Sequence, residues 1–370
     1  MCKKISFILA LITLFSSFSL TVSALSTSAK SAILIEKESG DIIYEKNASV
    51  PLPIASTTKI MTAIVAIESG ELDRKIKIPI EATNIEGSSI YLKEGEELSL
   101  RELLYALLLE SANDASVAIA YLTCGDVSEF VQKMNEKASI LGLENTHFTN
   151  PHGLYDKEHY SSAYDMARLT SYALNNPVFK EICATKTYKI PSPDGQRLLV
   201  NHNRLLRMYD GANGVKTGFT KISGRCLVSS AKRDGVELIA VTLNAPNDWR
   251  DHTSLFDYGF SLYENITLAD NGSYLVEIPL NGSSKDSILS TNIEKFSKTI
   301  KKGAGNFSAS VNYDPKLPIS RGDVLGQIHF YDDEMEIGRI DLISLENARL
   351  PSNKTRISNL FERLFKNGKN

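Results

Sequence analysis

Three short polar motifs constrain the fold of this chain more than any other feature: Ser56-Thr-Thr-Lys59, Ser111-Ala-Asn113 and Lys216-Thr-Gly218. Ser111 follows Ser56 by 55 positions and Lys216 follows Ser111 by 105, so they meet only if the tertiary fold brings them together. Singly, each is weak. Ser-x-x-Lys occurs again at Ser229-Ser-Ala-Lys232, but in an alternating, strand-like run where positions i and i+3 face opposite ways. The first copy is different. It opens an apolar run, Ile60, Met61, Ile64, Val65 and Ile67, at helical spacing and closed by Gly70, so Ser56 and Lys59 share a face.

Together the three motifs carry the parts of an acyl-transfer site. A serine becomes a nucleophile when a base takes its proton, and a lysine with a lowered pKa is such a base. Ser56 is therefore the expected nucleophile and Lys59 its base. The Ser111 hydroxyl can relay a proton to a leaving amine, and Asn113 can hold Lys59 or a substrate amide. Lys216 and Thr217 can bind a carboxylate by charge and hydroxyl, and Gly218 lets a substrate backbone lie against a strand. The N–H groups of Ser56 and Phe219 are the expected oxyanion donors; such a donor contributes about 3–4 kcal/mol to the transition state.

Around the motifs, strands bracket a helical middle. Ala32–Ile35 and Asp41–Glu45 flank Ser39-Gly40 and read as a hairpin, and Ile76–Ile80 as a short strand. Ser99 and Glu102 form a capping box before Leu103, Leu104, Leu107 and Leu108. Polar residues 110–114 interrupt the helical pattern, which resumes over Ala115–Tyr121. Further helices are expected after Asp126, from Ala163 to Leu174 behind Ser162, and from Trp249 to Tyr263. Thr187–Ile190, Leu198–Val200, Cys226–Ala231 and Val236–Leu243 read as strands, the last two joined at Arg233-Asp-Gly235. The reading is α+β, an antiparallel sheet with a helical subdomain, over residues 25–264. From about 265 to 350, short alternating runs (Tyr274–Ile278, Phe307–Tyr313, Gln327–Phe330, Gly338–Ile343) indicate a small all-β domain. Arg321-Gly-Asp323 within it reads as a plain turn.

Both ends read as address signals. Lys3 and Lys4, an apolar stretch from Ile5 to Leu20, and Val22-Ser-Ala24 form a signal peptide over residues 1–24. At the other end, Ile357, Leu360, Phe361, Leu364 and Phe365 make an apolar stripe among Lys354, Arg356, Arg363, Lys366 and Lys369. Residues 351–370 thus read as a basic amphipathic helix that lies on a membrane surface. The expected location is outside the cytoplasm, peripheral on the outer face of the cytoplasmic membrane. A net charge of -3 gives no electrostatic case for nucleic acid. The six histidines form no metal-ligating pattern, and the three mature cysteines, Cys124, Cys183 and Cys226, fit neither a full set of disulfides nor a redox motif. No metal or other cofactor is called for.

With Ala55–Ala63, Ser111–Ala115, Asn150-Pro-His-Gly-Leu154, Tyr164–Ala167 and Asp210–Thr220 in this order, the chain resembles the serine D-alanyl-D-alanine carboxypeptidases, the low-molecular-mass penicillin-binding proteins. The resemblance is close over about residues 28–262. It implies a transpeptidase/β-lactamase-like catalytic domain, removal of the terminal D-alanine from peptidoglycan stem peptides through a Ser56 acyl-enzyme, and covalent inhibition by β-lactams. Two alternatives differ in chemistry. A class A β-lactamase needs a positioned Glu, yet Glu129, Glu136, Glu144, Glu158 and Glu181 stand in no E-x-x-L-N setting. A non-catalytic peptidoglycan-binding scaffold would not need all six polar motif residues intact.

Overall fold

The computed structural model describes residues 25–350; the expected leader at 1–24 and the amphipathic segment at 351–370 lie outside the described residues. The chain opens with the expected hairpin, β1 (Ser31–Glu36) and β2 (Ile42–Lys46), which turns at Gly40 with φ +75°. A 3-10 turn, Ala55–Thr58, runs directly into α1 (Lys59–Glu68). Residues Lys59 to Ile67 are all buried, so α1 is enclosed by its neighbours rather than half exposed like an ordinary surface helix.

β3 (Lys75–Lys77) pairs with β4 (Glu97–Ser99). The strand expected over Ile76–Ile80 stops early, since Pro79 has no N–H to donate and Ile80 opens another 3-10 turn. α2 (Leu100–Leu109) begins with the expected box: the Glu102 N–H donates to Ser99 Oγ at 3.2 Å, and the Ser99 N–H to the Glu102 carboxylate at 2.7 Å. α3 (Asn113–Cys124) starts earlier than its apolar pattern. Asn113 and Asp114 therefore stand in its first turn, where an acidic group complements the helix dipole. α4 (Val127–Ile140) and α5 (Ala163–Ala173) are capped by Asp126 and Ser162 as expected. α6 (Pro177–Ala184) was not anticipated, although Asn176 caps it and Pro177 occupies its first turn. β5 (Thr187–Ser192) and β6 (Gly195–Val200) form a hairpin, followed by the single turn α7 (Leu205–Met208).

β7 (Ala212–Thr220), β8 (Gly224–Arg233) and β9 (Val236–Leu243) complete an antiparallel sheet of order β2-β1-β9-β8-β7. Its central strands alternate between two cores. Ile33, Ile35, Cys226, Val228, Ile239 and Val241 face the helical layer that surrounds α1. Leu34, Leu227, Ala231, Leu238 and Ala240 face α8 (Asp248–Leu262) through Leu255 and Phe256. With both faces covered, β9 is buried along its whole length. β7 is the edge strand on the side of the 3-10 turn.

β10 (Tyr263–Ala269) leaves α8 without a linker and later pairs with β13 (Phe296–Lys301). A five-stranded sheet of order β11-β12-β16-β15-β14 follows, made of β11 (Leu275–Pro279), β12 (Ser287–Asn292), β14 (Phe307–Tyr313), β15 (Val324–Asp332) and β16 (Met335–Ser344). Ile278, Ile288, Ile328, Phe330 and Leu342 form its separate core. Gly322 holds Arg321–Asp323 in a turn with φ +95°. Cys183 and Cys226 are buried and Cys124 half-buried, all three as free thiols. Among the described residues no helix is long and apolar enough to cross a membrane.

Candidate active site

The 3-10 turn accounts for the first motif. Residues three apart eclipse one another in such a turn, and Lys59 follows it directly, so its amine swings back onto Ser56. Lys59 Nζ lies 3.1 Å from Ser56 Oγ. It also donates to Asn113 Oδ1 at 2.7 Å and to the His152 carbonyl at 2.6 Å. Those two oxygens can only accept. A neutral amine would give them its two hydrogens, which leaves its lone pair for the Ser56 hydroxyl proton. Asn113 is itself held in place, since its Nδ2 donates to the Glu86 carbonyl at 2.6 Å. Of its two expected roles, holding Lys59 is the one the geometry displays.

The backbone around Ser56 is tightly determined. Ala55 adopts φ +48°, a left-handed conformation that costs roughly 1–3 kcal/mol in a non-glycine residue. Its carbonyl accepts from Thr58 Oγ1 at 2.8 Å, and Thr58 in turn meets His159 Nε2 at 2.7 Å. Gly153 packs against the same carbonyl; a Cβ there would stand 2.0 Å from the Ala55 oxygen. The loop around it is knotted by Asn150, whose Oδ1 accepts the Gly153 N–H at 2.7 Å. This loop places the His152 carbonyl on Lys59.

Ser111 sits in the turn between α2 and α3 with φ +61°. The Asn113 N–H donates to the Ser88 carbonyl at 2.7 Å, which ties the start of α3 to the loop after β3. β7 supplies the third motif. Gly218 has a local reason to be glycine, for its Cβ position lies 3.0 Å from the Ser56 nitrogen and 3.2 Å from the Ile54 oxygen. The close approach at Gly218 is thus to the protein's own backbone. Phe219 follows directly and its side chain is exposed. Lys216 is buried beneath the strand and donates to the Thr217 carbonyl at 2.9 Å.

Ser56, Ser111, Thr217, Gly218 and Phe219 share a cleft of about 390 Å³, while Lys59, Asn113 and Lys216 lie buried behind it. All eight expected residues therefore converge. Burial, and secondly the charge of Lys216, push the Lys59 amine well below the ordinary lysine range, against the pull of Asp114. Burial lowers Lys216 to about 7, opposed by Glu110. Two buried amines this close oppose each other's charge, which adds to the effect of burial on Lys59. The same burial holds His152 neutral, at about 3.

The cleft also contains residues the motifs did not point to: Ser88, His202, Arg204, Arg225, Asp248 and Trp249. Arg225 is opposite Phe219 in the β7–β8 register, paired with Asp248 at 2.9 Å and set over the Trp249 ring at 5.7 Å. No short motif marks these positions. The second Ser-x-x-Lys copy is confirmed as structural: Ser229 is buried in β8 against His252. Among the described residues no cluster of His, Cys, Asp or Glu could hold a metal ion.

Comparison with known proteins decides the family. Residues 19–247 match the family model for D-alanyl-D-alanine carboxypeptidases. The chain belongs to that family. Residues 263–349 match the C-terminal domain of penicillin-binding protein 5. D-alanyl-D-alanine carboxypeptidase DacF of Bacillus subtilis is 37% identical over 319 residues, covering 83% of this chain and 82% of that protein. DacC of Escherichia coli is 33% identical, covering 89% of this chain and 86% of the other. Among solved structures, the carboxypeptidase DacD of Francisella tularensis is 30% identical with a TM-score of 0.60, over 88% of this chain and 95% of that one. Penicillin-binding protein 5 of Haemophilus influenzae is 27% identical with a TM-score of 0.64, over 88% and 98%.

Proposed function

We propose that this family member is a serine carboxypeptidase that removes the terminal D-alanine from peptidoglycan stem pentapeptides and is acylated by β-lactams. One observation carries the reading: a fully buried lysine with a lowered pKa, 3.1 Å from a cleft-facing serine, with its other two hydrogen-bond directions taken by acceptor-only oxygens.

Neutral Lys59 takes the Ser56 proton as Oγ adds to the scissile carbonyl, and the oxyanion is met by the Ser56 and Phe219 N–H groups. As the tetrahedral intermediate collapses, Ser111 passes a proton to the departing amine of D-alanine. Water then adds to the acyl-enzyme and Ser56 is restored. The substrate's terminal carboxylate faces Thr217, with positive charge from buried Lys216 behind it and from Arg225 at the rim.

The matching relatives support the substrate class. Incubation with a synthetic peptide ending in D-Ala-D-Ala should yield a product one alanine lighter by mass spectrometry. A protein that labels with fluorescent penicillin but leaves the peptide intact would be a binding protein only. Fast turnover of a chromogenic cephalosporin would instead favour a β-lactamase. The sequence of residues 1–24 and 351–370 supports export and peripheral attachment to the outer face of the cytoplasmic membrane.

A further inference from the structure

Glu110 directly precedes Ser111 and belongs to none of the three motifs. Its side chain is mostly buried and both carboxylate oxygens are engaged. Oε1 accepts the Val200 N–H at 2.5 Å, and Oε2 meets His202 Nε2 at 2.9 Å. The His202 N–H donates back to the Leu109 carbonyl at 3.3 Å. The chain leaving β6 is thus clasped to the end of α2 from both sides of the Leu109–Glu110 step. The next residue is Ser111, in the left-handed conformation that a serine keeps only when its surroundings impose it. His202 lines the same cleft as Ser111. Glu110 also opposes the lowering of the Lys216 pKa.

We propose that Glu110 is a positioning residue for the reaction: its carboxylate ties the turn that presents Ser111 to the chain leaving β6. The proposal rests on the carboxypeptidase reading above. The charged and titratable groups around this network come from four further segments of the chain. His202 and Arg204 flank the cleft from the chain after β6, and Lys216 comes from β7. Lys59 on α1 faces Lys216, and Asp114 on α3 faces Lys59.

Three variants test the claim. Glu110→Ala removes the carboxylate and should slow acylation by fluorescent penicillin several-fold. Glu110→Gln keeps an acceptor for the Val200 N–H and should restore most of the wild-type rate. His202→Ala removes one arm of the clasp at an exposed side chain, where the fold has little to lose. It should slow acylation by fluorescent penicillin several-fold, with an unchanged midpoint of thermal unfolding. Glu110→Ala acylated at the wild-type rate, or Glu110→Gln acylated no faster than Glu110→Ala, would overturn the carboxylate's part in the clasp. Wild-type acylation in His202→Ala would overturn the clasp. A wild-type protein inert to both penicillin and peptide would overturn the carboxypeptidase reading itself, and this proposal with it.

Discussion

At the scale of single residues the nucleophile was legible and its surroundings were only partly so. Ser56 and Lys59 could be read because a side-chain pair three apart leaves a spacing in the sequence. The third partner of Lys59 is the carbonyl of His152, and a backbone oxygen leaves no such trace. Ser56→Ala should abolish both penicillin labelling and D-alanine release while preserving the fold, because Ser56 makes no capping bond in its turn. Labelling that survives in Ser56→Ala and vanishes in Ser229→Ala would identify the wrong serine. The buried lysines also set a pH dependence of stability. Lys216 is lowered to about 7 when folded, against about 10.4 in an unfolded chain. Between these values the unfolded state holds the extra proton, so stability rises with pH, by up to about 1.4 kcal/mol per unit. Denaturant titrations at pH 7 and pH 9 should therefore show a smaller gain for Lys216→Met than for the wild type. Equal gains would show that Lys216 is not the titrating group.

At the scale of elements, patterning succeeded where one face is apolar and failed where length or pairing carried the signal. The capping box of α2 and the β8–β9 hairpin lie where their residues place them. α6 is only eight residues long, too short for a periodicity to stand out, although its Asn-Pro start is visible. β12 and β13 are rich in Ser, Thr and Lys and owe their strand state to partners distant in sequence. The sequence shows residues 110–114 only as a polar interruption of the helical pattern, whereas the turn at Ser111 is a single tight step between two helices. The loop from Asn150 to Leu154 offers a sharp test. Gly153→Ala puts a methyl group 2.0 Å from the Ala55 oxygen at φ +87°, so it should cost more than 2 kcal/mol or so and lower activity. Gly40→Ala has φ +75° but nothing within 4 Å, so it isolates the conformational cost alone, about 1 kcal/mol. Similar unfolding midpoints for the two variants would remove the packing argument.

At the scale of the whole molecule, the catalytic cleft and the C-terminal β-sheet are built on separate cores, joined where α8 runs into β10. All motif residues precede Thr220. Removal of residues after Asn353 should therefore release the protein from membranes and leave peptide hydrolysis intact, as fractionation and a soluble peptide assay would show. Each basic residue of the deleted segment near an anionic bilayer is worth about 1 kcal/mol of attachment. Full-length protein found entirely in the low-salt soluble fraction would rule out that segment as an anchor.

The gap at Gly218 has a geometric consequence for what the cleft can admit. Two paired strands need about 4.8 Å between their backbones. At Gly218 the chain is already seated against Ser56, with only 3.0 Å from the Cβ position to the neighbouring nitrogen. No extended chain can thread between strand and turn there. A substrate therefore has to reach Ser56 from the cleft that Ser111, Thr217 and Phe219 line, and the seam behind the nucleophile is closed by a backbone approach that one missing methyl group permits.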